Sequence, residues 1–429
     1  MQTTIPQLSV ILQKLLIHDA NEIGRQCGFI QRQRKLSGSS FAQGMLFGWL
    51  ANPNASLEEL CQSLQVCGVR ISPQGLQERL NSPQAATFLR QLLFKGLSYL
   101  VQRTSPRNDL LEQFSGVFIQ DSSQINLPDC LNSIWPSASK GESTLKIQTV
   151  LDYQNGTIDL TLASGRDHDC PLQTTNLPHG SLRLADLGYF KVPIFKQLSS
   201  AGVYWVSRVP ARAGIWLDGS VTHIATWLKQ WKCQVVDTEI ELTAQRLYCR
   251  IIAVPAPSEV AQERRRRVRK AARKRKNSRL KSETLELCDW TILITNLPEE
   301  RYAVEDILCL QRLRWQIELL FKLWKTTLSL DAWRSEKPNQ ILTEVYAKLL
   351  VALIQHWLLL LGCWQNANRS LVKASLALRK HAFQLSANLP YLKYLRRSLK
   401  FILSTLDRCV VQKRKSRPAT FQLLGRDFP

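Results

Sequence analysis

Three acidic residues that lie far apart along the chain are set among groups suited to phosphate chemistry. One belongs to the run Gln311-Arg312-Leu313-Arg314-Trp315-Gln316-Ile317-Glu318, which continues to Lys325 and places a carboxylate between cations. At about 100° per residue, positions 311, 314, 318 and 325 fall within roughly 60° of one another, so one helix face is expected to address one site. The other two, Asp121 and Asp186, end the apolar runs Val117-Phe118-Ile119-Gln120-Asp121 and Leu182-Arg183-Leu184-Ala185-Asp186. Both are expected where a sheet hands over to loops. Mg²⁺ is a hard, octahedral cation that takes a few carboxylates together with water and substrate phosphates, and carboxylates converging from separate segments suit it. The chemistry these residues point to is metal-dependent cutting of DNA.

Each residue also has a plainer reading. An Asp at the end of a strand commonly caps a helix or shapes a turn. The helix around Glu318 is apolar, with Trp315, Ile317, Leu319, Leu320 and Phe321, and a charge on a largely buried helix needs a partner. An intrahelical pair with Arg314 or Lys322, worth about 0.3 to 0.5 kcal/mol, meets that need without catalysis. Asp167-His168-Asp169 has the composition of a metal cluster but follows a strand in a loop with no matching His elsewhere, so it reads as turn and capping groups.

Length and charge narrow the class. At about 150 residues per domain, 429 residues make two or three domains, and 45% hydrophobic content supplies real cores. Lys plus Arg number 57 against 34 acids, a net +23 that favours a polyanion such as nucleic acid, with a membrane surface as the rival. The tract from Arg264 to Lys281 holds twelve of the cations, and the chain without it still carries +11, so the basicity is distributed. The tract itself has the composition of a DNA-backbone contact or an exposed loop. Eleven cysteines form no C-x-x-C pair, a reduced cytosolic pattern without a zinc framework. The N-terminus lacks the plan of a secretion signal. The longest apolar run, Leu349 to Trp364, carries Gln355 and His356 and falls short of the roughly 20 residues of a span, so it reads as a buried helix and no membrane partner is expected.

The elements that must position the acids follow from periodicity. Residues 1–110 are helical, as Leu8, Ile11, Leu12, Leu15 and Leu16 illustrate. Ser56 with Glu59 makes a capping box for a helix through Leu64, and Ser72-Pro73 opens another after Gly68. This pair is either a helix-turn-helix offering Gln74, Gln77 and Arg79 to a DNA groove or an ordinary helical hairpin. From Ser115 strands take over: Val117 to Asp121, Leu145 to Tyr153, an Asn155-Gly156 hairpin turn, Thr157 to Ala163, and Leu182 to Asp186. A helix near 192–199 and a strand near 203–209 complete a mixed α/β sheet. Residues 212–296 form an extra segment with strand pieces Cys233 to Leu242 and Arg246 to Val254, closing with Trp290 to Thr295. After Pro298 the chain reads as helical, and 366–429 is helical and basic, with Lys393, Arg396, Arg397 and Lys400, then Lys413, Arg414, Lys415 and Arg417.

With these motifs the chain resembles a DDE transposase of the insertion-sequence IS-four group, whose signature is Y-x2-R-x3-E-x6-K. Arg314, Glu318 and Lys325 match it, and Gln311 stands at the Tyr position, where its amide can still hydrogen-bond. Ile119-Gln120-Asp121 and Ala185-Asp186-Leu187-Gly188-Tyr189-Phe190 resemble the strand-borne Asp motifs, and Trp290 to Asn296 the last strand before the catalytic helix. The resemblance spans about residues 115–365. It implies an α/β fold with an RNase H-like mixed sheet as its core: a first part at 111–211, a β-rich insertion at 212–296, and the catalytic helix with the rest of the core at 297–365. A helical DNA-binding domain (1–110) and a basic helical C-terminal region (366–429) flank it.

The same resemblance implies that Asp121, Asp186 and Glu318 hold two Mg²⁺ ions, replaceable by Mn²⁺, for in-line displacement at phosphorus by water or a 3′-hydroxyl. Arg314, Lys325 and Gln311 would meet DNA phosphates. Family members stack an aromatic of the insertion on a displaced base, for which Trp216, Trp227 and Trp231 are available, with core packing the alternative for each. The implied partners are double-stranded DNA, as transposon ends and target, and a second copy of the chain on paired ends, in the cytoplasm at the nucleoid. The expected activity is Mg-dependent strand cleavage and strand transfer at terminal inverted repeats. A structure-specific nuclease and a catalytically inactive, transposase-derived regulator are the alternatives.

Overall fold

The computed structural model describes residues 2–32, 35–169, 174, 176–217, 219–231, 234–274 and 281–411. Residues 275–280 of the basic tract, Cys233, and the cations Lys413, Arg414, Lys415 and Arg417 lie outside them. The chain forms two compact units, one from residues up to 107, 122–168 and those after 315, the other from 108–121 and 169–315.

The first unit opens with helices. α1 (Ile5–Gln13) starts at Thr4, whose hydroxyl and the Gln7 amide satisfy one another's backbone N–H groups, and a π-helical stretch at Lys14–Asp19 leads to α2 (Ala20–Gln26). α3 (Gly38–Ala51) is buried on every face up to Leu50, as befits a helix apolar all round. α4 (Leu57–Val66) begins at the expected capping box: Ser56 N–H donates to Glu59 Oε2 at 2.7 Å, and Glu59 N–H to Ser56 Oγ at 3.2 Å. Gly68 then takes φ +76°, a conformation that ends helices cheaply only with glycine. Ser72 caps α5 (Pro73–Leu80) through a 3.1 Å bond from Gly75 N–H, and α6 (Pro83–Leu97) follows. Gly38 lets α3 start against α2. A Cβ there would run into the Ala20 carbonyl oxygen, a backbone atom that cannot swing aside. Gly38→Ala is therefore expected to cost about 1–3 kcal/mol. A urea midpoint equal to the parent's would show that the close approach is absent.

β1 (Val117–Leu127) contributes its first half to the second unit and its remainder to the first. β2 (Ser143–Asp152) and β3 (Ile158–Ser164) pair antiparallel in the first unit, from Leu145↔Ser164 to Leu151↔Ile158. The connection is longer than a two-residue Asn-Gly turn. The Asp152 carboxylate accepts from the N–H groups of Gln154 (3.0 Å) and Asn155 (3.2 Å), and this side-chain organisation, with Gly156 at φ +70°, displaces the tighter hairpin.

In the second unit β1 lies parallel to β4 (Leu182–Ala185), which lies parallel to β5 (Tyr204–Arg208) after a crossover through α7 (Val192–Ser200). The next elements are β6 (Gly214–Leu217), β7 (Ser220–His223), α8 (Ile224–Leu228), β8 (Val236–Leu242) and β9 (Leu247–Pro255). The basic α9 (Ser258–Lys274), α10 (Ser282–Glu286), β10 (Trp290–Thr295) and α11 (Val304–Leu313) complete the unit. The strand order is β1-β4-β5-β10-β9-β8-β6-β7, with β10 antiparallel to both neighbours. The strands of 212–296 make no separate layer. They extend the sheet beyond β10 and share one core, in which Phe195, Trp205, Ile215, Trp227, Ile251 and Ile294 are all buried.

The chain then returns to the first unit with α12 (Trp315–Leu328), α13 (Pro338–Cys363), α14 (Leu371–Arg379), α15 (Ala382–Asn388) and α16 (Leu392–Leu406). Among the described residues α13 alone is long and apolar enough to cross a membrane, and 89% of its most apolar window is buried inside the protein, against α3 and α6 above all. Its buried charges are matched, although the Gln355 amide has no hydrogen-bond partner among the described residues. Lys348 pairs with Glu344 at 2.8 Å and donates to the carbonyls of Ser329 and Ala332. His356 Nε2 donates to Gly156 O at 2.6 Å, fixing the neutral tautomer and pinning the β2–β3 loop. Burial lowers this imidazole from 6.5 to about 4. Because the unfolded chain takes up the proton first, this stability is present above pH 6.5 and is lost as pH falls through about 4, on the order of 3 kcal/mol. Urea midpoints from pH 7 to 4 should fall less steeply for His356→Gln, which keeps the donor and cannot titrate. Parallel slopes would refute the assignment.

The whole is a mixed α/β protein with a large mixed sheet and many helices. All nine described cysteines are free.

Candidate active site

Parallel pairing brings the two Asp residues to one end of the sheet. The register of β1 and β4 runs from Val117↔Leu182 to Gln120↔Ala185, so Asp121 and Asp186 are the next residue on each. Asp121 does not end its strand, which continues to Leu127. It stands where pairing with β4 stops. Asp186 precedes a 3₁₀ turn, Leu187–Tyr189, but its side chain makes no cap there, which removes the capping alternative. Arg314 answers both carboxylates: Nη1 is 3.2 Å from Asp121 Oδ2 and 3.8 Å from Asp186 Oδ1. The Arg314 and Asp121 side chains are 5% and 15% exposed, whereas Asp186 is 43% exposed. One acid is thus shielded and the other open to solvent.

The opposite face of the same strand ends is held by a buried network that the sequence reading missed. Side chains alternate along a strand, so Gln120 and Arg183 lie on the face away from the acids. Arg183 Nε donates to Thr174 Oγ1 at 2.7 Å and Nη2 to Gln120 Oε1 at 2.9 Å, while Thr174 Oγ1 donates to Gln120 Oε1 at 2.8 Å. Burial lowers the guanidinium to about 10, so it stays charged near neutrality. The available signal was a lone Arg inside an apolar run.

The expected single helix is divided into two elements. α11 ends at Leu313, Arg314 takes φ −51° and ψ −28° with its N–H on Gln311 O, and α12 starts at Trp315. Gln311 therefore belongs to α11, Arg314 to the turn that ends it, and Glu318 and Lys325 to α12. Glu318 and Lys325, seven residues apart on α12, share one face. α12 buries one face, with Ile317, Leu320, Phe321 and Trp324, and exposes another, where Trp315 and Leu319 are each 51% exposed; Glu318 is half-buried. Lys325 Nζ donates to Gln124 O at 3.0 Å within the first unit. Gln311 is half-buried, and its side-chain oxygen is buried with no hydrogen-bond partner among the described residues.

The unit boundaries fall beside the motif residues, since Asp121, Asp186 and Arg314 belong to the second unit and Glu318 and Lys325 to the first. Among the described residues no group of three His, Cys, Asp or Glu is gathered for a metal ion. The Asp121–Asp186 pair nonetheless fits a hard divalent cation in its chemistry, being carboxylate oxygen, partly open to water, and already drawn around a positive charge on Arg314. Asp167 behaves as a turn residue, accepting from Ser164 N–H at 2.9 Å.

Of the three tryptophans, Trp227 is buried and meets Trp231 edge to face at 5.6 Å, both packed into the sheet core. Trp216 is half-buried on β6 with the Arg246 guanidinium 5.6 Å over its ring. On α5, Gln74 and Arg79 are exposed and Gln77 is partly so, opposite buried Leu76 and Leu80.

A family model described as Transposase DDE domain matches residues 112–354, more than half of the chain. The transposase for insertion sequence element IS231B of Bacillus thuringiensis subsp. berliner is 27% identical over 365 residues, 78% of this chain and 75% of its own. That of IS231F from subsp. israelensis is 28% identical over 360 residues, 77% and 74% of the two chains. That of IS1151 from Clostridium perfringens is 23% identical over 366 residues, 79% and 77%. The matched stretch opens before β1 and closes within α13, and so contains Asp121, Asp186, Arg314, Glu318 and Lys325 together. The chain belongs to the DDE transposases, in the insertion-sequence IS-four group.

Proposed function

We propose that this DDE enzyme cleaves and joins DNA strands at the terminal inverted repeats of an insertion sequence, with Asp121, Asp186 and Glu318 as its catalytic carboxylates on an RNase H-like core. The observation that carries the reading is the pair Asp121 and Asp186, brought to the registered ends of adjacent parallel strands and facing one guanidinium. Two Mg²⁺ ions, or Mn²⁺, held by the three carboxylates would supply an activated water or 3′-hydroxyl and a stabilised leaving oxygen.

The chain's own groups do the positioning. Arg314 neutralises the two Asp side chains before substrate arrives and, as a planar donor that stays charged, is suited to phosphate. Lys325 and Gln311 are its partners on the backbone, fixing register without reading sequence. Arg183, Gln120 and Thr174 brace the strand ends from behind. Groove contacts fall to α4 and α5 as a helix-turn-helix, through Gln74, Gln77 and Arg79. Trp216 is the stacking candidate of first choice, because Trp227 and Trp231 are engaged in the core. The proposed division into a DNA-binding domain (1–110), a core interrupted at 212–296, and a C-terminal region (366–429) serves a homodimer on paired ends in the cytoplasm.

Incubating the protein with Mg²⁺, linear DNA bearing the element's ends and a target plasmid tests this. Joined products are expected. Cleaved product alone would make it a nuclease, and neither product a regulator.

A further inference from the structure

We infer that α16 presents a second, sequence-independent contact for the phosphate backbone of duplex DNA. The inference rests on DNA being the substrate, not on the strand chemistry. One face of α16 is fixed in the first unit by Leu395, Leu399, Ile402 and Leu406, all fully buried. The opposite face exposes Lys393, Arg396, Arg397 and Lys400, and the helix contains no carboxylate. Lys393, Arg397 and Lys400 fall within roughly 60° around the axis and span about 10.5 Å along it. That length is comparable with the about 12 Å width of a major groove, so the stripe can meet phosphates on both walls.

Solvated helix faces ordinarily mix charges of both signs. Here the compensation is missing. α1, α13, α14 and α15 pack against α16, and the one acid they contain, Glu344, is buried against Lys348. Asp407, just past the helix, is taken by Arg369 at 2.6 Å. Among the described residues the four cations make no ion pair or hydrogen bond, so the face pays nothing to exchange partners on meeting a polyanion. Tyr394 and Phe401 flank the stripe, exposed, and offer flat apolar surface for deoxyribose. A second copy is a poor occupant, because a twofold interface would set this cationic patch against itself.

The test uses the full chain carrying Lys393→Gln, Arg397→Gln and Lys400→Gln, all exposed, so folding should be unaffected. Fluorescence anisotropy with a duplex of unrelated sequence is followed across KCl concentrations. With three phosphates no longer engaged, the slope of log affinity against log salt should fall by about 2.7, at roughly 0.9 per contact. A charge-matched control, Arg25→Gln with Lys35→Gln and Lys140→Gln, removes exposed cations elsewhere in the same unit and should leave the slope near the parent's. Equal slopes for the two triple variants would overturn the inference. So would an unchanged slope with an altered sedimentation coefficient, which would make α16 a contact between copies. Failure of the strand chemistry is read separately, from joined products, and does not move this slope.

Discussion

Asp186→Asn is expected to lower strand cleavage by about 10³-fold or more, some 4 kcal/mol of barrier, while duplex affinity stays at the parent's value. The substitution changes shape hardly at all and removes one negative charge from a side chain that is 43% exposed and makes no cap, so no structural penalty accompanies it. What it removes is an oxygen donor able to carry full negative charge beside Asp121. Labelled linear ends with Mg²⁺ report cleavage, and anisotropy in salt reports binding. Persistence of cleavage at the parent's rate would take Asp186 out of the chemistry and leave the registered strand ends without a role. Loss of binding in parallel would instead point to damage beyond the site.

Arg314→Met should be costly in a second way. The guanidinium is 5% exposed and lies between two carboxylates, one of them 15% exposed, so its removal takes a buried positive charge away from both. Breaking a buried pair costs about 3–5 kcal/mol, and the solvent open to Asp186 reduces that to about 2–3. Arg314→Lys should recover most of the stability, since a positive charge returns, but not the activity, for which a loss of about 10²-fold is expected because an ammonium cannot reproduce the planar fork. Urea midpoints and cleavage rates of the two variants decide it. Stability of the Met variant equal to the parent's would mean that the contacts with Asp121 and Asp186 are incidental, whereas cleavage by the Lys variant at the parent's rate would reduce Arg314 to a point charge.

What was legible in the chain follows the range of the interactions. The Ser56–Glu59 box and the Ser72-Pro73 start were readable because a cap is closed within three or four residues. The burial of α13 was readable from composition, since so apolar a run must be covered. Both Asp residues were readable as candidates from where their apolar runs stop. The break at Arg314 was not, because the 100° rule presumes an unbroken helix and the partner that holds this arginine, Asp121, is 193 residues away. The Arg183 network was hidden for the same reason: Gln120 becomes its partner only through strand register. Asn155-Gly156 misled because Asp152, outside the dipeptide, organises the loop.

By itself, the order of residues determined which stretches became helix or strand, how those helices begin, and which acids could do chemistry, since each depends on neighbours a few positions apart. Only the tertiary structure decided that β10 enters between β5 and β9, that Asp121 and Asp186 share Arg314, and that Trp216 rather than Trp227 keeps an accessible ring. These outcomes turn on pairings between segments distant along the chain, whose free energy exists only once the sheet has closed.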